Sequence, residues 1–170
     1  EWSLAATPEL TGNLSIRREA GDVFFARDAA PETSIAVGIT ALTAVARFTD
    51  GAIDATASLR TARGDAVDAK LAIGTVAGAV SGRIARDAPL DFSLTGDVPS
   101  LQVLQPWIGS AAVVSGRAHL DLAARGTVGH AALSGALKGE GLRLDAPQYG
   151  LHFTDGRIVA HAADGRVVID

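Results

Sequence analysis

Apolar and polar residues alternate along most of this chain, and that alternation limits the folds it can adopt. Alternating runs lie at 53–60, 67–73, 90–95 and 114–122, with shorter ones at 133–137, 142–144 and 151–153. Successive side chains of a strand point to opposite faces, so each run predicts a strand with one apolar and one polar face. Such one-sided strands are typical of antiparallel sheets, whereas parallel strands that are covered on both faces are more continuously apolar.

Turn residues separate these runs about every 8–12 residues, which favours an all-β sheet, sandwich or barrel. Asp50-Gly51, Asp155-Gly156 and Asp164-Gly165 predict two-residue hairpin turns, because Asp-Gly tolerates positive φ angles. Further turns or bulges are predicted at Gly64-Asp65, Gly74, Gly126, Gly129 and Gly139. A β-helix fits less well, because the strand spacings follow no constant period.

The segment 98–108 breaks the alternation. Leu101 and Leu104 have helical spacing, Ser100 can cap the start of a helix, and Pro106 argues against a long one. We therefore predict one short helix near residues 100–108. The side chains predicted to plug one end or edge of the sheet are Leu101, Leu104 and Trp107.

The predicted sheet must cover its apolar face, and no amphipathic helix of useful length is present to do so. Aromatic residues are only 5% of the chain, and alanine and glycine occupy many inward positions, which limits how fully side chains can fill an interior. We predict a long curved antiparallel sheet folded over an apolar groove, as a half-tube of the β-taco type; a well-packed sandwich is the alternative. The residues predicted to line the groove are Ile53, Leu59, Leu71, Ile73, Leu90, Phe92, Leu94, Leu120, Leu122, Leu133, Leu137, Leu142, Leu144 and Phe153.

Length and composition exclude several classes of protein. The 170 residues suit a single all-β domain over residues 1–170, and the absence of methionine leads us to interpret the chain as a fragment of a longer protein. The absence of cysteine excludes disulfides, thiolate metal sites and a cysteine nucleophile. A net charge of −4 argues against nucleic-acid binding. No uninterrupted apolar run reaches the roughly 18 residues of a membrane-spanning helix.

No group of residues predicts catalysis, a metal site or a cofactor site, so we expect a protein that is not an enzyme. His119 and Asp121 share one face of a strand, but that face is the polar one, and a zinc site needs three or four converging ligands. Asp54 and Asp68 occupy solvent-facing positions, whereas acid–base catalysis requires a carboxyl group whose pKa is raised by burial. The chain contains neither a Gly-x-Ser-x-Gly elbow nor a Walker loop.

The motifs of residues 90–169 follow one another in an order that resembles a known family. The segments that carry the resemblance are Gly96-Asp97, Ser100-Leu101, Leu104, Pro106-Trp107, 114–122, Arg125-Gly126-Thr127-Val128, 133–137, 142–144, Gly150-Leu151-His152-Phe153 and 164–169. Together they resemble the C-terminal DUF490 region of the TamB family, the translocation and assembly module proteins of the wider AsmA-like group. The family often has a proline after the Gly-Thr turn, where this chain has His130-Ala131. Residues 1–89 share only the strand pattern.

The resemblance implies a place and a role for the chain. It implies a periplasmic segment of an inner-membrane-anchored protein of a Gram-negative bacterium, with a TamA-like outer-membrane barrel of the Omp85 family as partner. The implied cargo is phospholipid acyl chains, unfolded outer-membrane β-strands, or both. The implied role is to shield this cargo between the two membranes in outer-membrane protein assembly and lipid transport.

Two hypotheses about function follow. In the first, the apolar face holds acyl chains, while an open sheet edge accepts a client strand or a second fragment, giving dimers. In the second, the chain is a structural or adhesive β-sheet module of a secreted or surface protein, with a filled core and no transported ligand. Arg63-Gly64-Asp65 matches an integrin-type tripeptide, although a hairpin turn explains it better.

Overall fold

The computed structural model describes residues 2–6, 10–25, 35–76, 84–108, 111–163 and 166–169. These residues are almost entirely extended, as the alternation predicts. The strands are β1 (Trp2–Ala6), β2 (Leu10–Arg17), β3 (Phe24–Phe25), β4 (Ile35–Ala36), β5 (Ile39–Thr49), β6 (Ala52–Thr61), β7 (Ala66–Ile73), β8 (Pro89–Val98), β9 (Val113–Thr127), β10 (His130–Ala146), β11 (Leu151–Ala163) and β12 (Arg166–Ile169).

All strands except β3 and β4 belong to one sheet, in the order β1-β2-β5-β6-β7-β8-β9-β10-β11-β12. Every neighbouring pair is antiparallel, which confirms the predicted all-β antiparallel class. The sheet is open, because β1 and β12 are its edges and do not pair with each other. β3 and β4 form a separate two-residue pair in the connection between β2 and β5.

One carboxylate links the beginning of the connection between β2 and β5 to its end. Asp22 accepts hydrogen bonds from the backbone N–H groups of Val23, Gly38 and Ile39 at 2.8, 2.8 and 3.1 Å. Backbone donors at a turn are satisfied in this way by Asp side chains in many loops. The Asp22 carboxylate therefore joins the chain as it leaves β2 to the start of β5.

The structure confirms only one of the hairpin turns predicted at Asp-Gly pairs. Asp50 and Gly51 have φ angles of 50° and 79° and join β5 to β6, with Thr49 opposite Ala52, which confirms the predicted hairpin. The hairpin predicted at Asp155-Gly156 is wrong: both residues lie inside β11, where Asp155 has a φ of 59°. Asp164-Gly165 lies outside the described residues.

Bulges explain why the alternation loses its phase in the second half of the chain. Leu137 and Leu142 are five residues apart and would face opposite sides of a regular strand. The register of β10 against β9 shifts between Glu140 and Arg143, so that both leucines lie on the same face. The bulge at Asp155 does the same for Phe153 and Ile158 in β11. Asp-Gly in this chain therefore marks a bulge as well as a hairpin.

The predicted short helix is present between β8 and β9. It consists of a 3₁₀ turn, Leu101–Leu104, followed by α1, Gln105–Ile108. Ser100 does not cap it, because its side chain makes no capping hydrogen bond. Gln105 holds the segment to β9 instead: its side chain donates to Ala112 O at 2.6 Å and accepts from the Val114 N–H at 3.3 Å.

The sheet is a single layer over the part of the chain that the structure describes. The buried apolar residues there are Ile39, Ala88, Ala112 and Ala146, and no large side chain is fully buried. A packed sandwich would bury large apolar side chains between its two sheets. No helix among the described residues is long and apolar enough to span a membrane.

Candidate functional site

Strand register brings the apolar side chains together on one face of the sheet, which we call the apolar face. Residues opposite each other on neighbouring strands lie on the same face. Leu71, for example, lies between Ala55 of β6 and Phe92 of β8, and Leu137 lies between Leu120 of β9 and Ala160 of β11. The register therefore extends this face from strand to strand without a break.

All fourteen residues predicted to line a groove lie on the apolar face. None of them is buried. Eleven are half-buried, whereas Leu133, Leu137 and Phe153 are exposed at 42%, 40% and 47%. Each of these side chains therefore keeps part of its surface exposed to solvent.

The predicted end plug is described only in part. Leu101 is half-buried, whereas Leu104 is exposed at 39%. The side chain of Trp107 lies outside the part of the chain that the structure describes. The helical segment packs against β9.

A row of alanines forms a hollow in the apolar face, which we call the alanine trough. Its floor consists of Ala44, Ala46, Ala55, Ala57 and Ala69 on β5, β6 and β7. Larger side chains border it, and these are Leu14 and Ile16 on β2, Leu71 on β7 and Phe92 on β8. Val45, Thr56 and Lys70 also line it, although strand register assigns their side chains to the opposite face. The trough has a volume of about 280 Å³.

The apolar face carries almost no hydrogen-bonding side chain. Among the described positions on this face from β2 to β12, the exception is Thr61, at the end of β6. Thr61 is 8% exposed, and its hydroxyl donates to Asp65 Oδ2 at 2.6 Å. The face therefore presents methyl, methylene and aromatic groups to a ligand, with no free donor or acceptor side chain between them.

Charged residues occupy the opposite face and pair across strands. Arg60 donates to both carboxylate oxygens of Asp68 at 3.0 and 2.8 Å, and Arg117 donates to Glu140 at 2.6 Å. Arg125 lies 3.4 Å from Asp91. Exposed pairs of this kind contribute little stability each, but opposite charges on adjacent strands favour the observed register.

The polar residues that the sequence analysis considered and set aside lie on the polar face. His119 Nδ1 lies 2.6 Å from Asp97 Oδ1 on the polar face, and the described residues contain no cluster that could hold a metal ion. Asp54 and Asp68 share that face, but Asp54 lies opposite Ala72 and Asp68 lies opposite Ser58. The hydrogen bond from Arg60 holds the pKa of Asp68 below its ordinary value of 3.8, whereas a catalytic acid needs a raised pKa.

The Arg63-Gly64-Asp65 tripeptide lies in the turn between β6 and β7, as predicted. Asp65 is only 7% exposed, and its carboxylate accepts the Thr61 hydroxyl. Arg63 donates to Val37 O at 2.7 Å. Both charged side chains of the tripeptide therefore make contacts within the fold.

No family model matches the chain, and no curated protein or solved structure matches it either.

The alanine floor of the trough is a part of the apolar face that the predicted groove residues do not include, whereas Leu71 and Phe92 on its border are among them. Ala55 and Ala57 have the same parity in β6 as Ile53 and Leu59, and Ala69 has the same parity in β7 as Leu71, but the groove prediction includes only large side chains. The Asp50-Gly51 hairpin turn is the sequence feature that indicates how the alanines of β5 and β6 pair. A two-residue turn with Thr49 opposite Ala52 places Ala46 opposite Ala55 and Ala44 opposite Ala57.

We expect the stability of the fold to fall on acidification below about pH 4.5. The backbone N–H of Ile39 lowers the pKa of Asp22 most, Arg60 lowers that of Asp68, and Arg117 lowers that of Glu140. Groups with depressed folded-state pKa values add stability above their unfolded pKa values, and this stability is lost as pH falls through the folded values. Urea unfolding followed by circular dichroism at neutral pH and at about pH 3 measures the change.

An Asp22→Asn variant is the control for this acid dependence. It removes one of the three carboxyl groups whose pKa is lowered in the fold, so its free energy of unfolding should change less between the two pH values than that of the unmodified chain. An equal change in both proteins would show that Asp22 makes no such contribution.

Proposed function

We propose that the chain is a non-enzymatic periplasmic segment of a TamB-like protein and that its apolar face holds hydrophobic cargo between the inner and outer membranes. In this proposal the sheet curves around its apolar face as a half-tube, and phospholipid acyl chains lie along that face. An Omp85-family barrel of the TamA type receives the cargo at the outer membrane. In this proposal the protein thereby supports outer-membrane protein assembly and lipid transport.

The continuous, uncovered apolar face is the observation that carries the proposal. Apolar surface left in water costs about 25 cal/mol for each Å². An exposed apolar face of this extent is therefore energetically unfavourable in a protein that has no ligand. Contiguous exposed apolar patches of more than a few hundred Å² mark interaction surfaces. The described residues supply no second layer, which favours cargo over the alternative of a filled structural module.

Two parts of the sheet suit two kinds of cargo. The apolar face suits acyl chains, because neither partner needs a hydrogen bond. Within the part of the chain that the structure describes, the edge strands β1 and β12 each pair with one neighbouring strand, so their outer sides suit an unfolded β-strand. β12 is exposed at Val167, Val168 and Ile169 by 66%, 56% and 71%.

We expect the purified, delipidated chain to bind a photoactivatable palmitic acid. After irradiation, mass spectrometry should find the label on apolar-face residues such as Leu71 and Phe92 and not on their polar-face neighbours Ala72 and Asp91. An isotope-labelled outer-membrane strand peptide, cross-linked in parallel, should react at β1 or β12. A chain that takes up no fatty acid, or that is labelled equally on both faces, would contradict the proposal.

A further inference from the structure

We propose that a pocket on the polar face of the sheet binds a phosphate group carried by an organic ester. The pocket lies over the end of β8 and the adjoining parts of β9 and β10, and we call it the polar-face pocket. The residues that line it are Gly64, Asp97, Val98, Pro99, Arg117, Ala118, His119, Lys138 and Glu140, of which Val98 and Ala118 have side chains on the apolar face. Because the pocket and the proposed cargo are on opposite faces, this site goes beyond the proposed function and does not rest on it.

Strand register brings the charged side chains of the pocket into one group. Asp97 of β8, His119 of β9 and Lys138 of β10 lie opposite one another in a row, and Arg117 lies opposite Glu140 in the next row on the same face. Cross-strand neighbours, and residues two apart on one strand, have Cβ atoms roughly 5–7 Å apart. A phosphate group placed between the two rows is therefore within reach of the long side chains of Lys138 and Arg117.

Lys138 has no salt bridge with any residue that the structure describes. The two carboxylates of the pocket already have partners: Asp97 lies 2.6 Å from His119, and Glu140 accepts two hydrogen bonds from Arg117, at 3.0 and 2.6 Å. Arg117 uses Nε and Nη2 for these bonds, so its Nη1 group is still able to donate. The pocket therefore keeps donors for one further anion on Lys138 and on Arg117.

The electrostatic field at Glu140 shows an excess of positive charge in this part of the polar face. The hydrogen bond from Arg117 lowers the pKa of Glu140 most, and the charges of Arg157 and Lys138 lower it further. Three cations thus act on one carboxylate, which neutralises only one of them. Phosphate suits such a surplus, because its several oxygens accept charge-assisted hydrogen bonds from lysine and arginine at the same time.

The wall of the pocket gives it depth beside the charged group. Gly64 lies in the turn between β6 and β7, and a Cβ atom added there would be 3.5 Å from Pro99 Cγ, so this turn packs against the segment that follows β8. The pocket has a volume of about 360 Å³, which is within the range of small-molecule sites. That volume exceeds the size of one phosphate group and leaves room for the organic part of an ester.

The test titrates glycerol phosphate into the full chain, in a phosphate-free buffer of low salt at neutral pH, and follows binding by calorimetry. Lys138→Ala should weaken binding about tenfold, the factor expected from the loss of one hydrogen bond to a charged group. Lys70→Ala is the matched control, because Lys70 lies on the same face between Thr56 and Ser93 but outside the pocket. It should leave binding within about twofold. Circular dichroism establishes that each variant is folded.

Glu140→Gln tests the sign of the ligand charge. It removes a negative charge from the pocket and keeps an acceptor for Arg117, so it should strengthen binding of the phosphate about threefold. Weaker binding by Glu140→Gln would mean that the ligand is not an anion, and equal losses in the two lysine variants would mean a general effect of charge. Either result would overturn the inference while leaving the proposed function intact.

Vesicles distinguish a lipid headgroup from a soluble ester as the source of the phosphate. The chain and its two lysine variants are sedimented with vesicles of phosphatidylcholine alone and with vesicles that also contain phosphatidylglycerol. Retention that requires both phosphatidylglycerol and Lys138 supports the inference with a lipid headgroup as ligand, whereas binding of glycerol phosphate without such retention supports it with a soluble ester. If the unmodified chain binds neither glycerol phosphate nor the vesicles, the inference is wrong.

Discussion

Replacing Leu71 by arginine is expected to reduce alkyl-chain binding by tenfold or more while leaving the sheet folded. Leu71 lies in the apolar face between Ala55 and Phe92 and borders the alanine trough. A guanidinium group placed there must either lose water when a hydrocarbon chain binds or hold that chain away from the floor. Either effect costs at least about 1.4 kcal/mol, which corresponds to a factor of ten.

The fold should tolerate this arginine because the apolar face is not covered. Leu71 is half-buried, and the long arginine side chain can reach solvent from its position. The loss of leucine packing should lower the free energy of unfolding by about 1–2 kcal/mol. Circular dichroism and a urea titration establish that the variant is folded before its binding of photoactivatable palmitic acid is measured.

Ala72→Arg is the matched control for the Leu71 variant. It adds the same side chain to the next residue of β7, which faces the polar side between Asp54 and Asp91. Opposite charges in cross-strand positions are favourable, so this variant should be at least as stable as the unmodified chain and should bind the alkyl chain unchanged. Equal loss of binding in both variants would point to a general effect of charge and against a ligand on the apolar face.

The alternation predicted which face each large apolar residue occupies because side chains along a strand repeat every two residues. A prediction from parity alone holds only as long as a strand is regular, however. Leu142 and Phe153 are on the predicted face, yet they reach it through bulges at Glu140–Arg143 and at Asp155. The sequence marks these bulges with glycine or Asp-Gly, residues that serve hairpins equally well.

The alanine trough depends on register, and for this reason alternation alone does not predict it. Whether small residues on different strands form one hollow is decided by which residues lie opposite each other. Ala57 and Ala69 meet only because Arg60 lies opposite Ala66, and this pairing follows a turn closed by Thr61 and Asp65. Pairs such as Arg60 with Asp68 could likewise not be assigned before the register was known.

The substitution Gly135→Ala is expected to lower the free energy of unfolding by about 3 kcal/mol or more. Gly135 lies in β10 between Leu122 of β9 and Ala162 of β11, with a φ of +145°. A Cβ atom there would overlap Asp121 O and lie 2.8 Å from Leu122 Cα. Both obstacles are backbone of the neighbouring strand, so the clash can be relieved only by separating two central strands.

Gly141→Ala separates this clash from backbone strain alone. Gly141 also has a positive φ, +57°, but an added Cβ would meet no atom within 4 Å. Its cost is therefore that of the left-handed conformation, about 1–2 kcal/mol. Urea unfolding at neutral pH should give a clearly larger loss for Gly135→Ala than for Gly141→Ala. Equal losses would show that β9 and β10 are farther apart at Gly135 than their register requires. The apolar face would then be interrupted at this point.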